Sequence, residues 1–283
     1  LSGKPEEEIF ADLKGVIFLN PMYGYGNSTE AKYLMADEYL SGNVREKLAW
    51  AKKSAQLSSE EYSINVEALQ KVQPKDLTAS EISVRLGATW LPPEIVEQFV
   101  FEFLGTPRYA QWNIKIHFSE YTGEWNIEGK SYDRGNVKAY STYGTSRINA
   151  YKIIEETLNL KDVRIFDYEE DADGKKKAIL NKKETAIAQA KQELIKQGFQ
   201  DWIWSDPERR ERLCKLYNEK FNSIRPREYD GSHITFNGMN PEIELREHQR
   251  NAVAHILYGG NTLLAHAVGA GKTFEMTAAA MES

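Results

Sequence analysis

Five residues near the carboxyl end carry the strongest chemical signal in the chain: Gly269-Ala270-Gly271-Lys272-Thr273. Two glycines one residue apart let the backbone curl until successive N–H groups face a single anion. A run of good helix formers follows, so the dipole of that helix adds to the same field. Lys272 has the reach to meet β- and γ-phosphates as a point charge, and the Thr273 hydroxyl is a ligand type suited to Mg²⁺. The apolar stretch Asn261–Leu264 ahead of the loop predicts a strand, which gives the strand–loop–helix setting that a phosphate cradle requires. The eight-residue GxxxxGKT spacing would put its first glycine at position 266, where this chain has His266.

The rest of the chain must position this loop, and its composition sets the frame. With 283 residues, 41% hydrophobic and 28% charged, it is long enough for about two domains of ~100–200 residues, and disordered or fibrous classes are excluded. Cys214 is the single cysteine, which excludes an internal disulfide framework and a cysteine-based zinc site and fits a reducing, cytoplasmic compartment. No apolar run approaches the ~20 residues of a membrane span, and the opening LSGKPEEEIF lacks a signal-peptide layout. A start at Leu1 and a last segment that reads as helix suggest a piece of something longer.

Net charge is −6, which argues against a uniformly basic nucleic-acid binder. Residues 175–228 nevertheless hold 14 Lys/Arg against 8 Asp/Glu. Within that window Lys175, Lys176, Lys177, Arg209 and Arg210 are the candidate nucleic-acid contacts, although a solvated helix face is the leading reading of such a run.

Elements follow from pattern. A short acidic helix, a strand over 15–19 and a Gly/Pro turn open the chain. Two helical segments break at Ser41-Gly42-Asn43, with Asn43 as N-cap, and a further helix near 59–72 ends before Pro74. LTASEISVRLGATWLPPEIVEQFVFEFLG reads as helix, turn, helix, the second opened by Pro92-Pro93. A hairpin is expected over 112–127, a helix over 146–158, and strands at 163–168 and 178–180 around the turn Asp171–Gly174. Long helices are expected over 183–197 and 206–222, the second capped by Ser205 or Asp206, and 223–243 reads as a boundary.

Leu245-Arg246-x-x-Gln249, a short helix and then LLAHAVGAGKT together resemble the opening of Swi/Snf-type ATPases of helicase superfamily two, in which the first loop glycine is commonly missing. The resemblance implies ATP and Mg²⁺ as ligands, Gln249 reading the adenine edge, Arg246 near the nucleotide and Gly269–Lys272 around phosphate. YLSGNVREKL, RLGATWLPP, the YGT segment, YDGSHITFNGMNPEIELREHQ and LLAHAVGAGKT, in this order, resemble very large phage and conjugative-element proteins that join an adenine-type DNA methyltransferase to a Swi/Snf-like helicase.

That resemblance implies DNA as partner, with the remainder of the helicase core and an upstream methyltransferase domain in the same chain, and no membrane. The expected architecture is a helix-rich α+β accessory domain with small antiparallel hairpins over 1–225, with a possible internal boundary near 75–85. A linker over 226–243 and the truncated start of a RecA-like α/β lobe over 244–283 would follow. The acidic DEAH-like motif and the arginine finger are not among these residues, so negligible ATP hydrolysis is expected. The alternative is a DNA- or protein-binding adaptor without catalysis of its own.

Other motifs read more simply. Asn20-Pro21-Met22-Tyr23 resembles the NPPY adenine grip of methyltransferases, but an Asn-Pro turn after a strand is favoured. Glu169-x-Asp171-x-Asp173-Gly174 lacks the closing Glu of a calcium loop, since position twelve is Leu180. The helix around Glu94, Glu97 and Glu102 offers no Lys or Arg to a DNA groove. Trp112, Phe118, Tyr121 and Trp125 are expected as hairpin packing before base stacking. The five histidines show no metal spacing.

Overall fold

Helix formation at the start of the chain rests on one buried face and, in a single helix, on a side-chain cap. The structure, a computed structural model, describes residues 5–25, 29–170, 176–240 and 242–283. Helix α1 (Glu6–Asp12) leads into strand β1 (Ile17–Leu19), which pairs antiparallel with β2 (Tyr33–Met35) so that Phe18 faces Leu34. Helix α2 (Ala36–Tyr39) is one turn long, and Lys47 donates to the carbonyls of Glu38, Tyr39 and Ser41 at 2.8–3.1 Å, satisfying its carboxyl end.

After β3 (Gly42–Asn43) comes α3 (Val44–Leu57), and the Asn43 side chain accepts from the Glu46 N–H at 3.2 Å, as an N-cap should. Helix α4 (Ser59–Lys71) returns against it. Phe18, Tyr39, Val44, Ala51 and Leu69 form their shared core, with Phe18 and Tyr39 stacked at 4.9 Å. Burial pushes the Tyr39 phenol up to about 12; its oxygen accepts from Asn65 Nδ2 at 2.9 Å, and the same amide donates to Leu19 O.

Contacts divide the chain into two units, one from Asp76 to Lys220 and one made of Leu1–Lys75 with Phe221–Ser283. The continuous unit begins with turns, not with the expected first helix: residues 72–92 are non-helical. In Glu81-Ile-Ser-Val-Arg-Leu86, Ile82, Val84 and Leu86 are buried while their neighbours are exposed. This alternation with period two belongs to extended backbone, which the β-branched Ile and Val favour, so no helix-turn-helix exists here.

Helix α5 (Pro93–Leu104) has Pro at its amino end and Gly105 at φ 62° closing it. Its apolar face, Ile95, Val96, Phe99, Val100 and Leu104, is fully inside. Helix α6 (Arg108–Gln111) precedes the expected hairpin, β4 (Lys115–Ser119) with β5 (Glu124–Glu128), where Phe118 pairs with Trp125 at 4.9 Å. A 3-10 turn (Lys130–Asp133) and a π turn (Lys138–Thr142) follow, then α7 (Ala150–Leu158), capped by Asn149.

Two buried polar sets tie these pieces together. Tyr151 donates to Asp133 Oδ2 at 2.6 Å and meets Thr106 Oγ1 at 2.7 Å; burial pushes its phenol well up. Glu155 accepts from the Ile127 N–H at 2.7 Å and from Lys130 at 2.6 Å and is bridged to Lys152. Burial pushes this carboxyl up, but those donors prevail and hold it below its ordinary range.

Strands β6 (Phe166–Glu170) and β7 (Lys176–Leu180) form a second hairpin. The first strand starts later than its sequence suggests, because Thr185 Oγ1 and Gln192 Oε1 take up the N–H groups of Ile165 and Val163. Side chains there replace a ladder partner. Helix α8 (Lys182–Ile203), capped by Asn181, and α9 (Pro207–Phe221), with Asp206 Oδ1 accepting from Arg209 N at 2.7 Å, complete the unit. Phe99, Phe199, Tyr151, Ile195 and Leu213 lie in its single core.

The chain then rejoins its opening segment. Strand β8 (Ile224–Arg225) pairs antiparallel with β3, and Arg45 Nε donates to Asn222 O at 2.8 Å. Residues 226–243 supply Ile234, Phe236 and Met239 to a small core with Leu245, Val253, Ala278 and Ala279. Helices α10 (Glu247–Gly259) and α11 (Lys272–Glu282) frame that core.

The expected strand over Asn261–Leu264 is not formed: among the described residues every sheet is two-stranded and none includes this stretch. Its residues still alternate between exposed and half-buried, as a strand lacking a ladder partner would. The architecture is thus helix-rich α+β with small antiparallel sheets.

Candidate functional site

The glycine loop lies between this extended stretch and α11. Gly269 and Gly271 sit at φ 87° and 90°, a region that L side chains rarely adopt, and Ala270 N–H closes a turn onto Ala267 O at 3.3 Å. Intrahelical bonding in α11 begins only with the N–H groups of Phe274 and Glu275, which donate to Gly271 O. The amides of Lys272 and Thr273 therefore stand at the positive end of the helix without an intrahelical acceptor. Lys272 Nζ donates to His266 O at 2.8 Å and to Ala267 O at 3.1 Å, so the ammonium spans the loop mouth. Thr273 is exposed beside it.

Gln249, on the first turn of α10, is buried against the loop. Its Oε1 accepts from Arg246 N at 2.9 Å, and its Nε2 donates to Ala270 O at 3.2 Å. An amide that reads adenine offers a free donor and a free acceptor on one edge. Here both ends are engaged, Oε1 by the N-cap of α10 and Nε2 by the loop backbone. Arg246 is exposed at the N-cap of α10 and opens on a cavity of about 370 Å³ with Glu244, Glu247, Arg250 and Asn251.

The fold also gathers a set that linear spacing hides. His266 Nδ1 is 2.9 Å from Glu275 Oε1, His248 Nε2 is 3.9 Å from the same oxygen, and the two rings meet edge-on at 5.6 Å. His248 Nε2 also contacts Ala270 O at 3.0 Å. Glu275 is fully buried, and its Oε2 has no hydrogen-bond partner. Glu275 lies nine residues from His266 in sequence and His248 a further eighteen away, so only the approach of α10 and α11 brings them together.

The basic candidates fare unevenly. Lys175 lies outside the described residues. Lys176 and Lys177 are exposed on β7 but stand opposite Glu170 and Glu169 in the hairpin register. Arg209 is not available to nucleic acid: it is 5% exposed, its guanidinium lies 3.5 Å over the Trp202 ring, and it donates to the carbonyls of Trp202 and Ile203. Its planar fork serves as a stacked, buried clamp. Arg210 is exposed on α9.

Asn20 forms the expected turn, its Oδ1 accepting from Met22 N at 3.0 Å. Asp171 to Gly174, the turn with calcium-loop spacing, lies outside the described residues. Phe118 and Trp125 are packed, whereas Trp112 and Tyr121 are 78% and 99% exposed. Among the described residues no helix is long and apolar enough to cross a membrane.

Comparison with known proteins places one match on the chain. The model of a domain of unknown function, DUF8437, matches residues 85–223, nearly the span of the continuous unit, and does not reach the glycine loop. No curated protein and no solved structure matches the chain.

Proposed function

We propose that this chain carries the nucleotide-binding opening of a Swi/Snf-like DNA translocase, with residues 244–283 beginning a RecA-like lobe and the Asp76–Lys220 unit as its accessory domain. The observation that carries the reading is the Lys272 ammonium held across the loop mouth by His266 O and Ala267 O, at the amino end of α11. The groups present fit a triphosphate. Two glycines at positive φ shape the loop, the Lys272 and Thr273 amides head a helix, and the Thr273 hydroxyl is accessible for Mg²⁺.

When bound, the nucleotide supplies a phosphoanhydride whose cleavage can drive movement on DNA. The chain's own part is to bind and orient it. Lys272 exchanges two carbonyl acceptors for phosphate oxygens, while Gln249 keeps the loop backbone in register from below. A methyltransferase domain and the remaining helicase motifs belong to the same proposed whole.

Titration calorimetry with MgATP tests this directly. Wild-type chain is expected to bind, and Lys272→Ala to weaken binding roughly ten- to a hundredfold, since a hydrogen bond to a charged group contributes about 1.5–3 kcal/mol. Equal affinity of the two proteins would remove the phosphate-loop assignment.

A second role for the continuous unit, as an adaptor, rests on its having a hydrophobic core of its own. With Arg209 buried and Lys176 and Lys177 opposite carboxylates, we favour docking of protein over DNA. A mobility-shift experiment at low salt is therefore expected to show weak DNA binding that Arg210→Ala barely alters. Tight, steeply salt-dependent binding lost in Arg210→Ala would instead make it a nucleic-acid adaptor.

A further inference from the structure

The geometry points to a binding site for a borderline divalent transition cation, zinc in the first place, on His248, His266 and Glu275. The candidate ligand atoms, one from each side chain, lie within 4.8 Å of one another. Tetrahedral zinc with bonds of about 2.0–2.1 Å holds its ligand atoms about 3.3 Å apart. The observed 2.9 Å from His266 Nδ1 to Glu275 Oε1 and 3.9 Å from His248 Nε2 to the same oxygen bracket that value. Small rotations about the side-chain bonds would seat all three on one ion.

Burial supplies an independent reason. Glu275 has no exposed side-chain surface, and its Oε2 lacks a hydrogen-bond partner. A buried carboxylate with an unmet oxygen is costly unless a positive charge compensates it, and a bound cation does so. The imidazoles are 42% and 34% exposed, so an ion reaches the site from solvent.

Two nitrogen donors and one oxygen select zinc, cobalt(II) or nickel(II) over Mg²⁺ or Ca²⁺, which prefer oxygen alone. Three protein ligands leave a fourth position for water. On binding, His248 gives up its contact with Ala270 O and His266 its hydrogen bond to Glu275. The ion would join the first turn of α10, the segment before the glycine loop and the first turn of α11. None of the three ligands is a residue assigned above to nucleotide or to Mg²⁺.

Cobalt(II) titration of the full chain, without nucleotide, reads the site through visible d–d absorption. Saturable uptake of one ion is expected, with excess Mg²⁺ failing to displace it. His248→Ala and Glu275→Gln should each weaken uptake by roughly tenfold or more, because even outer-shell partners are worth about 10- to 100-fold in affinity. His248 is exposed, so its variant keeps the fold, and circular dichroism checks Glu275→Gln. No spectral change with wild type, or equal uptake by all three proteins, would leave the cluster as hydrogen-bonded neighbours and overturn the assignment. Because phosphate plays no part in the readout, failure of the nucleotide reading leaves this result standing.

Discussion

Phe99→Ala is expected to destabilise the Asp76–Lys220 unit by about 3–5 kcal/mol, the usual cost of emptying a buried phenyl site. Phe99 is fully buried at the meeting point of α5 and α8. Its ring stacks on Phe103 at 5.0 Å, meets Phe199 edge-on at 5.1 Å and lies 5.3 Å from Trp202. Rings in such arrangements contribute about 0.5–1.5 kcal/mol beyond their buried area. Because domain stability is only about 5–15 kcal/mol, the loss takes a large share of it. Urea unfolding followed by tryptophan fluorescence reports it, with Trp202 beside the cavity as the local probe. Tyr121→Ala, at a 99% exposed position, should stay within about 0.5 kcal/mol of wild type. A change of under 1 kcal/mol for Phe99→Ala would mean that the aromatic cluster does not hold α5 to α8.

Gly271→Ala should cost less stability but most of the loop's function. At φ 90° a side chain is strained by about 1–2 kcal/mol. An added Cβ would also sit 2.2 Å from Gln249 Nε2, so Gln249 must swing away and release its bond to Ala270 O, worth a further ~0.5–1.5 kcal/mol. MgATP affinity is expected to fall at least roughly tenfold. Pairing the change with Gln249→Ala removes the clash but not the strain, so affinity should recover only in part. Full recovery would show that the side-chain collision, not the backbone, was responsible. Wild-type affinity in the single variant would sink the view that this glycine shapes a phosphate cradle.

Local signals were legible wherever one residue decides an element. Asn43 and Asp206 cap α3 and α9 as their positions suggest, and Thr122-Gly123 turns the first hairpin. Glu81–Leu86, expected as helix, is extended, and its own period-two alternation is the local signal for that. Arg209 reads as surface charge in sequence, since nothing local says that Trp202 lies beneath it.

At the loop, the glycines and Lys272 could be placed from spacing alone. The pairing of Gln249 with the backbone beneath, and of His248 with His266 and Glu275, depends on how two helices meet. No short window of sequence contains that information.

Asn222 Nδ2 donates to Lys75 O at 2.8 Å, and β3 pairs with β8 close by. The backbone therefore departs and comes back at nearly the same spot, and everything between is topologically a parenthesis. Loop-closure cost grows only with the logarithm of length, so a parenthesis can be long, short or exchanged with little penalty to the sentence around it. The DUF8437 match begins and ends close to those brackets, so the enclosed unit and the matched domain are nearly the same stretch of chain.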